Sequence, residues 1–217
     1  MPLFDVLLLI AIALIAWWVA GEGFCGAAVS LLAVLFSGLA AMNFFEPLAE
    51  WLETVFPPNT IWSNSADVIA LVGLFVVGVV VLHAATRRAL GGEVETHPLI
   101  EEPGRWLCGA ATGYIAAAFL LTALHTVPLP REFLGFTPER KNLFGIAAPD
   151  RQWLGFTQYV SEHVFPRNIT VADGRGGTLS AKRVFDGAIH VTPDGGVEYR
   201  SSFPIRYAER RGPRAAE

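Results

Sequence analysis

The sequence predicts an all-α membrane protein: a four-transmembrane-helix bundle with an interfacial amphipathic helix and a small α+β C-terminal tail. Three observations carry this expectation. Apolar residues fill 53% of the 217 positions and charged ones only 17%, whereas about a quarter of an ordinary globular chain is charged. Four stretches are long and apolar enough to cross a hydrocarbon core about 30 Å thick, which takes roughly 20 helical residues. No lysine or arginine precedes Arg87, so all 16 basic residues lie in the later part of the chain.

The four spans are residues 3–20, 24–42, 68–85 and 106–127, within a membrane domain of residues 1–127. The first carries only Asp5, close to its start. The second has no charge. The third has His83 and the fourth His125, each near the helix end. No charge falls near the middle of any span, as the cost of desolvating one in lipid requires. A cleaved signal peptide would need a basic n-region and a shorter apolar core, and residues 1–5 contain no base. Cys25 and Cys108 each lie just inside a hydrophobic segment and read as small buried residues rather than a disulfide framework.

Gly21, Glu22 and Gly23 leave room only for a tight hairpin between the first two spans. In the connection from Asn43 to Asp67, Leu48, Trp51, Leu52 and Val55 recur at i, i+3, i+4, i+7. Glu46, Glu50 and Glu53 form the opposite stripe. That is an amphipathic helix, expected to lie in the membrane interface with Trp51 at headgroup depth and to end at Pro57 and Pro58.

Helices in lipid associate where small residues let backbones approach. Ala33, Ser37 and Ala41 form one such ladder on the second span, and Gly109, Gly113 and Ala117 another on the fourth. Either could pack within the monomer or between copies.

With four spans, the termini share one side with the Asn43–Asp67 connection. Arg87, Arg88 and Arg105 flank the other long loop, while the Asn43–Asp67 connection has no base. Counted over short loops, the positive-inside rule places residues 87–105 in the cytoplasm and both termini outside. Asp5, Asp67 and His125 should then share the outer face, and Glu22 could meet Arg87 or Arg105 at the inner one. His83 and His125 read as interfacial anchors.

Residues 128–149 are rich in Pro and Gly and read as a linker. In the tail, residues 150–217, Asp150 can cap a helix whose Trp153, Phe156, Val160 and Val164 line one face. That face suits either a small core or a membrane surface. Residues 184–191 and 197–207 flank a turn at Pro193, Asp194, Gly195 and Gly196 and suggest a β-hairpin.

The order of these features resembles the colicin V production (CvpA) family of bacterial inner-membrane proteins. The residues that carry the resemblance are Asp5, the hairpin with Gly23 and Phe24, and the run Phe44-Phe45-Glu46-Pro47-Leu48-Ala49. To these are added Arg87 and Arg88 after the third span, Arg105 before the fourth, and Gly109 and Gly113 within it. Family members usually carry basic residues in the first hairpin, where this chain has Glu22. The resemblance covers about residues 1–130. It implies an accessory or scaffold role in toxin production and export or envelope maintenance, without catalysis.

No Gly-x-Ser-x-Gly elbow, zinc-spaced Cys/His set or phosphate-cradling glycine loop is present, so no catalytic residue, metal or cofactor is expected. The expected partners are the lipid bilayer and a second copy or a membrane or periplasmic protein held by the tail; nucleic acid is not among them. Two other functions fit the pattern less closely: a small transporter or channel subunit, and a membrane anchor whose tail recruits a soluble enzyme.

Overall fold

A computed structural model describes residues 2–57, 62, 65–90, 97–127, 135, 136, 141–164, 167–172, 176–183, 185, 187–192, 194, 196–201, 203 and 207. The chain divides into two compact units, Met1–Trp153 and Leu154–Glu217.

The first unit is built on four helices long and apolar enough to cross a membrane. They are α1 (Pro2–Ala20), α2 (Gly23–Val55), α3 (Ala66–Leu90) and α4 (Pro98–Thr126). The α1–α2 turn is as tight as its three residues suggest. Gly21 N–H donates to Trp17 and Trp18 carbonyls and Glu22 N–H to Val19. Gly23 then restarts the helix at φ +76°, a conformation that costs glycine nothing.

Each of the four helices extends beyond its expected span, α2 and α4 furthest. The separate amphipathic helix after residue 42 does not exist as such: α2 continues without interruption through Pro47 to Val55. Its buried stripe explains this. Ala41, Met42, Phe45 and Ala49 are all at most 2% exposed, so inward-facing positions keep their helical spacing across the expected break. Leu48, Trp51, Leu52 and Val55 are not the inner face; Trp51 and Val55 are each 59% exposed. At 1.5 Å per residue the 33 residues of α2 span about 50 Å, some 20 Å more than a hydrocarbon core. Similarly, α4 begins at Pro98 rather than at residue 106. Proline is tolerated at the first helical position, and the His97 side chain accepts the Leu99 N–H at 3.3 Å as an N-cap.

The helices form a row in which α3 packs along α2, α2 along α4, and α4 along α1. The small residues sit at these seams. A Cβ on Gly109 would lie 2.6 Å from the Ala16 carbonyl oxygen, and one on Gly113 would lie 2.5 Å from that of Ile12. Only glycine lets the backbones of α1 and α4 come so close. On α2, Ser37 faces Gly78 of α3, where a Cβ would meet its Oγ at 2.8 Å. Phe75 of α3 and Phe119 of α4 stack at 4.1 Å between ring centres, and Met42, Phe45, Leu71 and Leu121 fill the surrounding core.

A further helix, α5 (Pro149–His163), starts in the first unit and runs into the second. Pro149, not Asp150, opens it. Asp150 therefore lies inside the first turn and does not cap the helix. The buried side of α5 carries Asp150, Trp153, Leu154 and Thr157, whereas Phe156 is 38% and Val164 56% exposed. The expected face through Phe156 and Val164 is thus rotated, because the contacts of Asp150 and Trp153 with the bundle set which side turns inward.

The second unit contains two antiparallel hairpins where one was expected. Strands β1 (Arg167–Ala172) and β2 (Thr178–Arg183) pair with Arg167 opposite Arg183. Strands β3 (Gly187–Val191) and β4 (Val197–Ser201) pair with Gly187 opposite Ser201. The second pair occupies the expected hairpin; the first precedes it. Gly176, at φ +89°, lies in the β1–β2 connection. Pro193 and Gly195 of the expected turn lie outside the described residues. Phe185 N–H donates to Ser161 Oγ at 2.9 Å, and Phe203 and Tyr207 are buried against each other at 4.8 Å.

Candidate functional site

The polar side chains of the first unit gather at the two ends of the helix row. At the α1–α2 hairpin end, Glu22 is the hub. Its carboxylate lies 3.2 Å from the Arg87 guanidinium and 3.7 Å from His83 Nε2. Ser30 Oγ donates to the same carboxylate at 3.0 Å and lies 3.4 Å from His83 Nδ1. Arg87 and Arg88 occupy the last turn of α3, where positive charge complements the helix carbonyl end. Arg88 is exposed.

Arg105 does not meet Glu22. It pairs one turn back with Glu102 at 2.7 Å, since both lie on the same side of α4 at i, i+3 spacing. Glu101 crosses to α2 instead, accepting the Phe24 N–H at 2.8 Å. Phe24 is the second residue of α2, and Glu22 at the N-cap makes no side-chain cap of its own. The first turn of α2 is thus capped by a carboxylate from α4. Gly104 accommodates the Phe24 ring, which a Cβ would meet at 2.5 Å.

At the opposite end, His125 is not an exposed anchor beside Asp67. It is 2% exposed, with Nε2 2.9 Å from Oδ2 of Asp150, itself fully buried. Asp150, 25 positions later in the chain, is its partner, which overrides the short-range reading of a helix-end histidine. Asp150 Oδ1 has no hydrogen-bond partner among the described residues. Thr122 Oγ1 donates to the Ala118 carbonyl at 3.0 Å and lies 3.4 Å from the carbonyl of Asp150. Phe136 presents its ring to both His125 and Phe4, at 5.3 and 5.8 Å, and Asp5 is buried at 3% exposure. Asp67 lies half-buried in the first turn of α3. Just below this cluster, the Trp153 ring is seated at Gly38 of α2, where a Cβ would come within 2.6 Å of it. Its edge meets Phe119 at 6.1 Å. Tyr114 donates a hydrogen bond to the Gln152 side chain.

The ladder residues Ala33, Ser37, Ala41, Gly109, Gly113 and Ala117 are all buried, at seams within one chain. Glu101, Gly38, Asp150 and Trp153 escaped the sequence reading as partners of the bundle. Nothing local marks them, because each acts on a helix remote in sequence. Cys25 and Cys108 form no disulfide. Among the described residues no three His, Cys, Asp or Glu side chains converge as metal ligands.

Chemically, each cluster has acid and base in contact, but a carboxylate or a packed aromatic ring occupies the neighbourhood of each imidazole. Comparisons with family models, with curated proteins and with solved structures find no match.

Proposed function

We propose that this chain is a non-enzymatic accessory or scaffold protein of a bacterial inner membrane, of the colicin V production type, with both termini extracytoplasmic. One observation supports it above the others: the polar groups are spent on tying helix ends together. Glu22, Ser30, His83 and Arg87 close one end of the row and His125 and Asp150 the other, and between them the seams are made of glycine, alanine and serine backbones in contact. A scaffold needs fixed helices, and this arrangement fixes them. The resemblance in residues 1–130 supplies the functional class, and the tail supplies a surface for a membrane or periplasmic protein.

Partner recovery tests this. The full chain and a chain truncated after His163, which keeps Asp150 and Trp153 in place, are each purified from membranes with whatever accompanies them. A partner recovered only with the full chain supports recruitment by the tail; equal recovery removes that role. For orientation, impermeant thiol labelling of single cysteines at positions 64 and 93 in intact cells should mark 64 alone. Labelling of 93 alone would reverse the topology.

A second reading, a small transporter or channel subunit, draws on the Glu22–Ser30–His83 chain of polar contacts. Ionisable groups at membrane depth are functional candidates. Proton flux through reconstituted vesicles that is lost in Glu22→Gln would favour it over the scaffold.

A further inference from the structure

At the start of α2 the roles of two carboxylates are crossed. Glu22 holds the N-cap position but makes no side-chain bond to the helix it precedes. An N-cap side chain accepts from the second or third helical N–H. Here the second, that of Phe24, goes to Glu101 of α4 at 2.8 Å. Glu22 is not remote from that end of the helix. A Cβ on Gly26 would lie 2.7 Å from Glu22 Cβ and 3.5 Å from Oε2, so the Glu22 side chain runs along the first turn of α2. Other partners hold it aside: Ser30 Oγ at 3.0 Å and, from α3, the Arg87 guanidinium at 3.2 Å and His83 Nε2 at 3.7 Å.

The hairpin has the freedom for the uncrossed arrangement. Glu22 sits at φ −83° and ψ 1°, whereas a capping residue has extended backbone, and the difference is mainly a turn about ψ. Glycine stands on both sides of it, and Gly23, at φ +76°, has no Cβ to resist the turn. Glu101 gives up little by leaving Phe24, because it lies in the first turn of α4, where the helix N-terminus favours a carboxylate in any case. Arg87 is two-thirds exposed, so the closer of the two α3 contacts is also the one open to solvent.

We propose that α2 has two interchangeable caps and that α3 selects between them. While Arg87 and His83 hold Glu22, Glu101 caps α2 and ties α4 to it. When α3 releases Glu22, its carboxylate takes the Phe24 N–H, and the start of α4, residues 98–105, loses its polar tie to α2. The Phe24 ring rests on Gly104 in both arrangements, so the exchange is confined to the carboxylates. The device couples α3 to α4, two helices separated by α2 in the row.

Amide hydrogen exchange at Phe24, resolved by residue in the full-length protein in detergent micelles, tests this through a double-mutant cycle. With α3 unchanged, Glu101→Ala should speed Phe24 exchange about fivefold, the usual worth of one cap. In the Arg87→Ala/His83→Ala background the same change should speed it less than about twofold, because the two sites are coupled through Glu22. Adding Glu22→Ala to that background should restore the larger effect. An equal effect of Glu101→Ala in both backgrounds overturns the exchange, and so does failure of Glu22→Ala to restore it. Arg87→Ala alone, at an exposed site, is the milder release and should give an effect between the two. An effect there no smaller than in the parent chain overturns the proposal by itself.

Discussion

The Glu101 carboxylate accepts the backbone N–H of Phe24 at 2.8 Å, across 77 positions of sequence. One of the four orphan donors at the start of α2 is thus satisfied from α4, beside a hairpin whose own acid, Glu22, is turned to Arg87 and His83 instead. Helix end and helix pairing are secured by a single bond.

Replacing Glu101 should therefore loosen α2 from α4 as well as uncap it. Glu101→Ala is expected to cost about 1 kcal/mol, the usual value of a lost cap, with Glu101→Gln costing less because an amide oxygen still accepts. Thermal unfolding in detergent measures both. Equal stability of Glu101→Ala and the parent chain would show that the bond contributes nothing.

The glycines separate cleanly into two kinds. Gly113→Ala drives a Cβ to 2.5 Å from a backbone oxygen of α1, whereas Gly73 on α3 has nothing within 4 Å. Overpacking against rigid backbone typically costs about 1–3 kcal/mol, so Gly113→Ala should destabilise. Gly73→Ala should be neutral or slightly stabilising, since alanine is the better helix former. A thermal-shift series that ranks the two in the reverse order would refute the α1–α4 seam.

Trp153 fills the space that Gly38 leaves open. Trp153→Ala should create a cavity beside Phe119 and cost about 3–5 kcal/mol; Gly38→Leu should lose a comparable amount by displacing the ring. Intrinsic fluorescence and protease sensitivity of residues 128–148 would report the release. No change in either measurement would separate α5 from the bundle.

His125 and Asp150 form a pair with almost no water contact. Removing one member of a buried pair costs about 3–5 kcal/mol, while replacing both with apolar residues of similar volume is often close to neutral. His125→Ala and Asp150→Ala should each be strongly destabilising, and the double variant His125→Phe/Asp150→Leu should recover much of the loss. A double variant worse than either single change would contradict this. The Glu22–Arg87 pair is different. Arg87 is two-thirds exposed, and Arg87→Ala should cost under about 1 kcal/mol and do so less at high salt.

Membership of the bundle was readable wherever a property repeats along the chain. Runs of apolar residues mark all four long helices, and glycine spacing on α4 marks a packing face, whose partner, α1, only the structure identifies. The Glu22–Arg87 contact was one of two pairings open to Glu22. Reading failed where a residue answers to something distant. Asp150 looks like an N-cap from its neighbours alone, and only the tertiary fold makes it the partner of His125. The separate helix expected after Met42 rests on the stripe of Leu48, Trp51, Leu52 and Val55 opposite Glu46, Glu50 and Glu53; α2 instead runs on through Pro47, and Phe45 and Ala49 keep the inward stripe intact. The β1–β2 hairpin was not expected, although its strands hold as many branched aliphatic side chains, Ile169, Val171 and Leu179, as β3 and β4 do with Ile189, Val191 and Val197.

From its sequence alone this protein was bound to place four apolar helices in a low-dielectric solvent, because hydrophobic length and the cost of burying charge are properties of composition summed over a span. Only the tertiary structure decided which helices touch, where the carboxylates of Glu101 and Asp150 go, and that Trp153 is seated on the bundle. Those outcomes depend on interactions of single atoms between remote segments, each too specific to leave a periodic trace in the chain.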